Sequence, residues 1–360
     1  MRRAIASSPI NVLLLAVPLS WALDAMAPGS PWVFTTAAAS LIPLAGLIGL
    51  GTEQLARRAG PAWGGFLNAT FGNAAELIIA VVALRNGHIE LVKASITGSI
   101  IGNLLLVLGL SFFVGGLGRR SQKFHRTSAT NTSAMLFLGV VALVMPAVFD
   151  LAIYGNLAAQ PEALNRLSFW SALILIGAYG GSLIYAFTAH RDLFRSEHHQ
   201  HDRPAFSTGA AVTVLAAGTL LTTVQAEILV RAMAPALARF GFTELFVGVI
   251  VIALIGNAAE HYSAVTAAAR DEMTLAVEIS VGSSAQIALL VAPALVLYSF
   301  AIGRPMSLLF NAFEIVAIAL SVLATQIVVA DGESNWVEGL QLLSVYLILA
   351  LAFYFVPPSG

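Results

Sequence analysis

Gly72-Asn73-Ala74-Ala75-Glu76 recurs letter for letter as Gly256-Asn257-Ala258-Ala259-Glu260, and each copy lies near the middle of an apolar stretch long enough to cross a lipid bilayer. A carboxyl group at that depth is costly unless it faces a cavity, a partner or a bound cation. Glu76 and Glu260, two acids in duplicated settings, therefore mark a site rather than a packing accident.

The chain as a whole has the composition of a membrane protein. Apolar residues make up 58% and charged residues only 10%, and the mean hydropathy is +0.85, far from an ordinary soluble domain. The net charge of -1 is uninformative, because in a polytopic protein the placement of charge matters more than its sum. No basic patch suggests nucleic acid. Without cysteine there is no disulfide, thiolate zinc site or thiol nucleophile.

A hydrocarbon core of about 30 Å needs roughly 20 helical residues per crossing. On that ruler the chain divides into about eleven spans. Their approximate limits are Ile10–Met26, Trp32–Glu53, Ala62–Arg85, Ala94–Leu117, Ala129–Phe149, Ser168–Ala189, Ser207–Ala234, Thr243–Ala269, Leu275–Ala301, Met306–Ala330 and Trp336–Val356. The runs are too long for barrel strands, and a spanning helix satisfies its own backbone, so an all-α polytopic membrane protein is expected. Lys and Arg placement sets the orientation. With the N-terminus inside, Arg2, Arg3, Arg57, Arg58, Arg119, Arg120, Lys123, Arg126, Arg191, Arg195, Arg203 and Arg270 are cytoplasmic, two thirds of the 18 basic residues. An odd count then leaves the C-terminus outside. Arg2-Arg3, the apolar run after them and Ala25-Met26-Ala27 also imitate a cleavable secretory signal. The expectation is a retained first helix, and the repeat begins after it in either case.

The pentapeptides are 184 positions apart (260 − 76), and the same offset carries Gly98-Ser99 onto Gly282-Ser283. Upstream the offset becomes 174, which brings Glu53 onto Glu227. Five spans on each side of a polar linker place successive copies in opposite orientation. The expected organisation is an N-terminal helix (1–30), a first five-helix repeat (31–190), a polar His-rich cytoplasmic linker (191–206) and a second, inverted five-helix repeat (207–360). Inverted repeats are common in secondary transporters, with binding near the midplane.

Asn73 with Glu76, and Asn257 with Glu260, share a helical face because they are three positions apart. Gly72 and Gly256 permit a local break that turns backbone carbonyls toward a cavity. The following span of each half adds Ser99 and Asn103, then Ser283, Ser284 and Gln286. All are oxygen donors beside two negative charges, a set suited to a hard cation such as Ca2+, with about six to eight oxygen ligands. The plain alternative for Asn, Ser and Gln is interhelical hydrogen bonding, and for Gly and Ala close helix packing. That alternative fits the two glutamates poorly, since neither motif supplies an adjacent Lys or Arg.

GNAAELIIAVVAL at 72–84, SITGSIIGNLLLVLG at 95–109, IGNAAEHYSAV at 255–265 and GSSAQIALLVAP at 282–293 resemble the signature segments of the calcium/proton exchanger family, within the wider cation/calcium exchanger superfamily. The resemblance implies that Glu76 and Glu260 form a shared cation and proton site, with Asn73, Asn257 and Gln286 completing coordination. It implies that Glu53 and Glu227 line the routes of access, and that Ca2+ and protons are the transported substrates with no cofactor. The sodium/calcium branch is disfavoured, because its corresponding helices carry GTS-type segments in place of GNAAE. The linker departs from the family's acidic pattern: it reads Glu197-His198-His199-Gln200-His201-Asp202, a cluster that suits pH sensing, a transition metal or a solvated loop. Glu278, which the repeat pairs with Ala94, is expected as a modifier.

Burial disfavours a bare carboxylate, so the empty pair holds protons and a divalent cation displaces them, which gives exchange by competition. His261, beside Glu260, is placed to relay a proton or to orient its helix. Glu314 is expected well inside the tenth span, in a proton-assisting or local pairing role. The expected activity is Ca2+/H+ antiport in a prokaryotic inner membrane. Monovalent cation/proton antiport, an intramembrane enzyme and a passive channel are the alternatives. No His-Glu-x-x-His, GxSxG or P-loop element supports an enzyme, and the oligomeric state is not legible.

Overall fold

The computed structural model describes residues 9–155, 161–188 and 207–357. The expected linker at 191–206, with its histidine cluster, lies outside the described residues. A 3-10 turn, Pro9–Leu15, leads into α1 (Ala16–Met26). It is followed by α2 (Pro31–Phe71), α3 (Ala74–Arg85), α4 (Ile89–Gly116), α5 (Arg126–Tyr154) and α6 (Pro161–Thr188). The second half comprises α7 (Thr208–Arg231), α8 (Met233–Phe240), α9 (Glu244–Gly256), α10 (Ala258–Ala269), α11 (Met273–Ala301), α12 (Ala312–Val329) and α13 (Trp336–Phe355). Among the described residues the strands are two short ones, β1 (Gln122–Lys123) and β2 (Glu333–Ser334), paired antiparallel with Gln122 opposite Ser334.

Eight of these helices are long and apolar enough to cross a membrane, or nine if α8 and α9 count as one broken span. Eleven were expected. The expected spans missing from the eight are the short N-terminal one (Ile10–Met26) and the two that carry the motif, each interrupted at its Gly-Asn. The break expected after Glu53 also takes another form. Helical backbone continues to Phe71, but the membrane-length part ends at Ala59 and the chain then doubles back. A β-carbon on Gly64 would lie 2.5 Å from the carbonyl oxygen of Ala56, whereas residues eight apart in a straight helix are separated by about 12 Å. Met306 to Phe310, expected as helix, is not helical, and the tenth helix starts only at Ala312 behind an Asn311/Glu314 capping box. The freed backbone is satisfied by serine hydroxyls: Met306 N–H donates to Ser299 Oγ and Leu308 N–H to Ser168 Oγ.

The chain forms two compact units, and each draws on both halves of the sequence. The first comprises Met1–His88, Ser182–Glu244 and Leu254–Ala259. It is built on the packing of α2 against α7, where Gly51 meets the Leu215 backbone and Gly218 meets Ile48. Small residues let membrane helices approach this closely. Buried Gln225 fastens α1 from α7, accepting from Ser20 Oγ at 2.9 Å. The second unit comprises Ile89–Gly181, Leu245–Ala253 and Glu260–Gly360. There α13 lies on α4, with Gly339 against Phe113 N and Gly109 O, and α9 crosses α4 with Gly98 against Val249 O. Large apolar side chains such as Trp170, Ile174, Leu347 and Ile348 are exposed on its outer helices. So much exposed apolar surface is what a lipid-facing protein presents, and the chain is a multi-pass membrane protein.

Candidate functional site

The motif breaks its helix in both copies. α2 ends at Phe71 and α3 begins at Ala74, and α9 ends at Gly256 and α10 begins at Ala258. Glu76 and Glu260 are therefore each the third residue of a new helix. The positive end of a helix dipole favours a carboxylate there and offsets part of the cost of burying it.

The two motif helices also end alike. Gly87 N–H bonds to Leu84 O and His88 N–H to Ala83 O; Asp271 N–H bonds to Ala268 O and Glu272 N–H to Ala267 O. All four positions differ by 184, and both turns need a left-handed residue, Gly87 (φ 89°) and Asp271 (φ 68°). These are Schellman caps. The next helix of each half then carries a π-helical turn at matching positions, Gly102–Val107 in α4 and Ile287–Val291 in α11. Leu108 N–H reaches back five residues to Asn103 O, and Ala292 N–H to Ile287 O. Such π-bulges recur at functional sites.

In the first unit, Glu76 lies over the second motif's glycine. A β-carbon on Gly256 would sit 2.9 Å from Glu76 Cγ and 3.7 Å from Oε1. Both carboxylate oxygens are shut off from solvent, and Asn73 and Asn257 are 2% and 1% exposed. In the second unit, Ser283 Oγ donates to Glu260 Oε2 at 2.7 Å and accepts from Asn103 Nδ2 at 3.2 Å. Within each unit, then, a residue of one half of the sequence is brought against the motif of the other.

Ser99 is buried on α4, and Gln286 is half-buried at the end of the α-helical part of α11. Ser284 spends its hydroxyl on Ser280 O. His261 and Glu278 are half-buried. Glu53 forms an ion pair with Arg57 at 2.7 Å, and exposed Glu227 accepts from Asn86 Nδ2 at 3.4 Å. Glu314, expected deep in its span, is buried in the first turn of α12, where it closes the capping box and accepts from Thr97 Oγ1 at 3.0 Å. Asp150, fully buried near the end of α5, escaped the sequence reading because the fifth span was expected to end at Phe149. The matching π-turns left no signal in composition.

No group of three or more His, Asp or Glu side chains converges among the described residues. The donors at the motifs are single carboxylates with amide and hydroxyl neighbours, all hard ligands.

The model of the family described as sodium/calcium exchanger protein matches residues 29–188 and 210–355. The chain is 43% identical over 365 residues to the Ca(2+)/H(+) antiporter of Synechocystis sp., covering 96% of this chain and 97% of that protein. It is 42% identical over 343 residues to the Ca(2+)/H(+) antiporter ChaA of Bacillus subtilis, covering 94% and 96%. The solved structure of native YfkE superposes with a TM-score of 0.84 at 38% identity, covering 96% of this chain and all of that one. The H+/Ca2+ exchanger CAX, at 14% identity and a TM-score of 0.67 over 96% of this chain and 91% of that one, shares the fold.

Proposed function

We propose that this chain, which belongs to the sodium/calcium exchanger protein family, is a Ca2+/H+ antiporter. The names of the relatives at 40 to 43% identity carry the choice of cargo. Glu76 and Glu260 are its exchange groups. A bare carboxylate at membrane depth is costly, so each is neutralised by a proton or by the cation. The cation and the protons compete for the same oxygens, and exchange follows from that competition. The observation that most supports this reading is the Glu76 carboxylate lying over Gly256, within the second copy of the motif.

Asn73, Asn257, Ser99, Asn103, Ser283 and Gln286 supply further oxygens, and Asn103 and Ser283 hold Glu260 in place. His261 hands on protons beside Glu260, and Glu53 and Glu227 line the ways in. The architecture behind this is an N-terminal helix (1–30), two inverted five-helix repeats (31–190 and 207–360) and a linker (191–206), eleven spans in all. The matching breaks, caps and π-turns support the repeat, and rocking of the repeats would expose the glutamates to each side in turn.

In inverted membrane vesicles with an imposed pH gradient, Glu76→Gln or Glu260→Gln should abolish Ca2+ uptake while the protein still inserts and purifies. Near-normal uptake in either variant would remove the assignment.

A further inference from the structure

A cavity of about 330 Å³ opens between α5 and α12 at the end of the second unit that carries the β1–β2 pair. It is lined by Arg126, Thr130, Ser133 and Ala134 of α5 and by Gln326 and Val329 of α12. Nothing in the exchange chemistry uses it. We propose that it holds the phosphate headgroup of an anionic phospholipid.

Three observations point to an anion. Arg126 makes no ion pair among the described residues; of the acids near it in sequence and across the strand pair, Glu333 pairs with Lys123 at 3.5 Å and Asp331 accepts from Glu333 N–H. Its stem is held against Gly332, where a β-carbon would lie 3.1 Å from Arg126 Cβ. Arg126 is also the first residue of α5, and no side chain caps that helix. Its free N–H groups and dipole favour negative charge at the same place. Ser133, 6% exposed, lines the cavity with an Oγ that has no hydrogen-bond partner among the described residues. A buried hydroxyl in that condition calls for a polar ligand.

Position and shape point to a lipid rather than a free ion. Arg126 sits one turn outside the apolar span Ala129–Ile153, at the level where headgroups lie. Farther along the two helices Leu138 and Val141 of α5 and Leu323 of α12 are exposed, apolar surface against which acyl chains can lie. Guanidinium groups bind phosphate in a bidentate fork that a lysine cannot supply.

Native mass spectrometry of the detergent-purified protein tests the site with dioleoyl phosphatidylglycerol, dioleoyl phosphatidylcholine and inorganic phosphate as probes. Phosphatidylglycerol should be retained about tenfold more strongly than phosphatidylcholine, the size expected of one charge-assisted contact. Arg126→Gln should remove that preference, and Arg120→Gln, a nearby exposed arginine, should keep it. Ala134→Phe fills the lipid-facing rim without changing charge and should also lose the lipid, which decides the matter if Arg126→Gln folds poorly. Equal retention of both lipids, full retention in Arg126→Gln and Ala134→Phe, or displacement by millimolar phosphate would overturn the proposal.

Discussion

At the scale of single residues, the motif glycine has a role that its backbone freedom alone does not explain. Gly256 is where the Glu76 side chain rests, and a β-carbon there would stand 2.9 Å from Glu76 Cγ. That carbon is held near the backbone and cannot swing aside as a chain end would. Overpacking of this kind costs about 1–3 kcal/mol. Gly256→Ala should therefore displace the carboxylate and raise the Ca2+ concentration for half-maximal uptake by roughly tenfold, while the thermal midpoint in detergent falls only slightly. Unchanged Ca2+ dependence would separate Gly256 from the site. The sequence made the two glutamates, their asparagines and the helix break legible, because a carboxyl at membrane depth and a repeated glycine each have few physical explanations. It could not show that Glu76 meets the opposite copy's glycine or that Asn103 reaches Glu260 through Ser283. Those are contacts across almost two hundred residues, and spacing along one helix says nothing about them. Glu314 was misplaced for a local reason. Hydropathy ran smoothly from Met306 and hid the capping signal Asn311-x-x-Glu314, which sets the true start of the helix.

At the scale of helices, repeated sequence does not mean repeated packing. Gly98 and Gly282 occupy equivalent places before the two π-turns, yet their surroundings differ. A β-carbon on Gly98 would collide with the backbone carbonyl of Val249, which cannot move without shifting α9, whereas on Gly282 its nearest neighbour is Thr132 Cγ2 at 4.0 Å. Gly98→Ala should cost about 3 kcal/mol or more. Gly282→Ala, in open space within a helix, should be neutral or gain up to about 1 kcal/mol from propensity. Thermal unfolding of the two variants in the same detergent checks this, and equal midpoints would contradict the crossing of α4 and α9. Val249, which Gly98 meets, belongs to a π-turn of α9, Val247–Ile252. Hydropathy reading also handled the 54–61 region imperfectly. The span limits place a break between Glu53 and Ala62, but the Glu53–Arg57 ion pair is an i, i+4 pair of the kind that supports helix. The chain keeps helical backbone while it turns.

At the scale of the whole molecule, the open question is how many times the chain crosses the membrane, because length and apolarity alone pick out eight or nine helices. Bonds between loops offer an independent count. In the second unit, Gln122 bonds to Ala268 O and Asp271, His125 N–H to Thr274 and Lys123 pairs with Glu333. Loops 117–125, 270–274 and 331–335 thus meet at one end. In the first unit, Arg58 bonds to Thr208, His88 to Glu244 and Asp24 to Arg231. Eleven crossings assign the members of each such group to the same side, and losing one of the motif-bearing crossings would put bonded loops on opposite faces. This agreement supports our proposal that the helices interrupted at Gly-Asn are spans, although length and apolarity alone do not pick them out. The absence of cysteine makes a direct test clean. Single cysteines at Ser121, Glu162 and Pro357, each exposed, can be probed with a membrane-impermeant maleimide in intact cells. With the N-terminus inside, Glu162→Cys and Pro357→Cys should label from outside, and Ser121→Cys only after permeabilisation. Labelling of Ser121→Cys and Pro357→Cys from the same side would mean an even number of crossings between them, and the two five-helix repeats could not then be inverted.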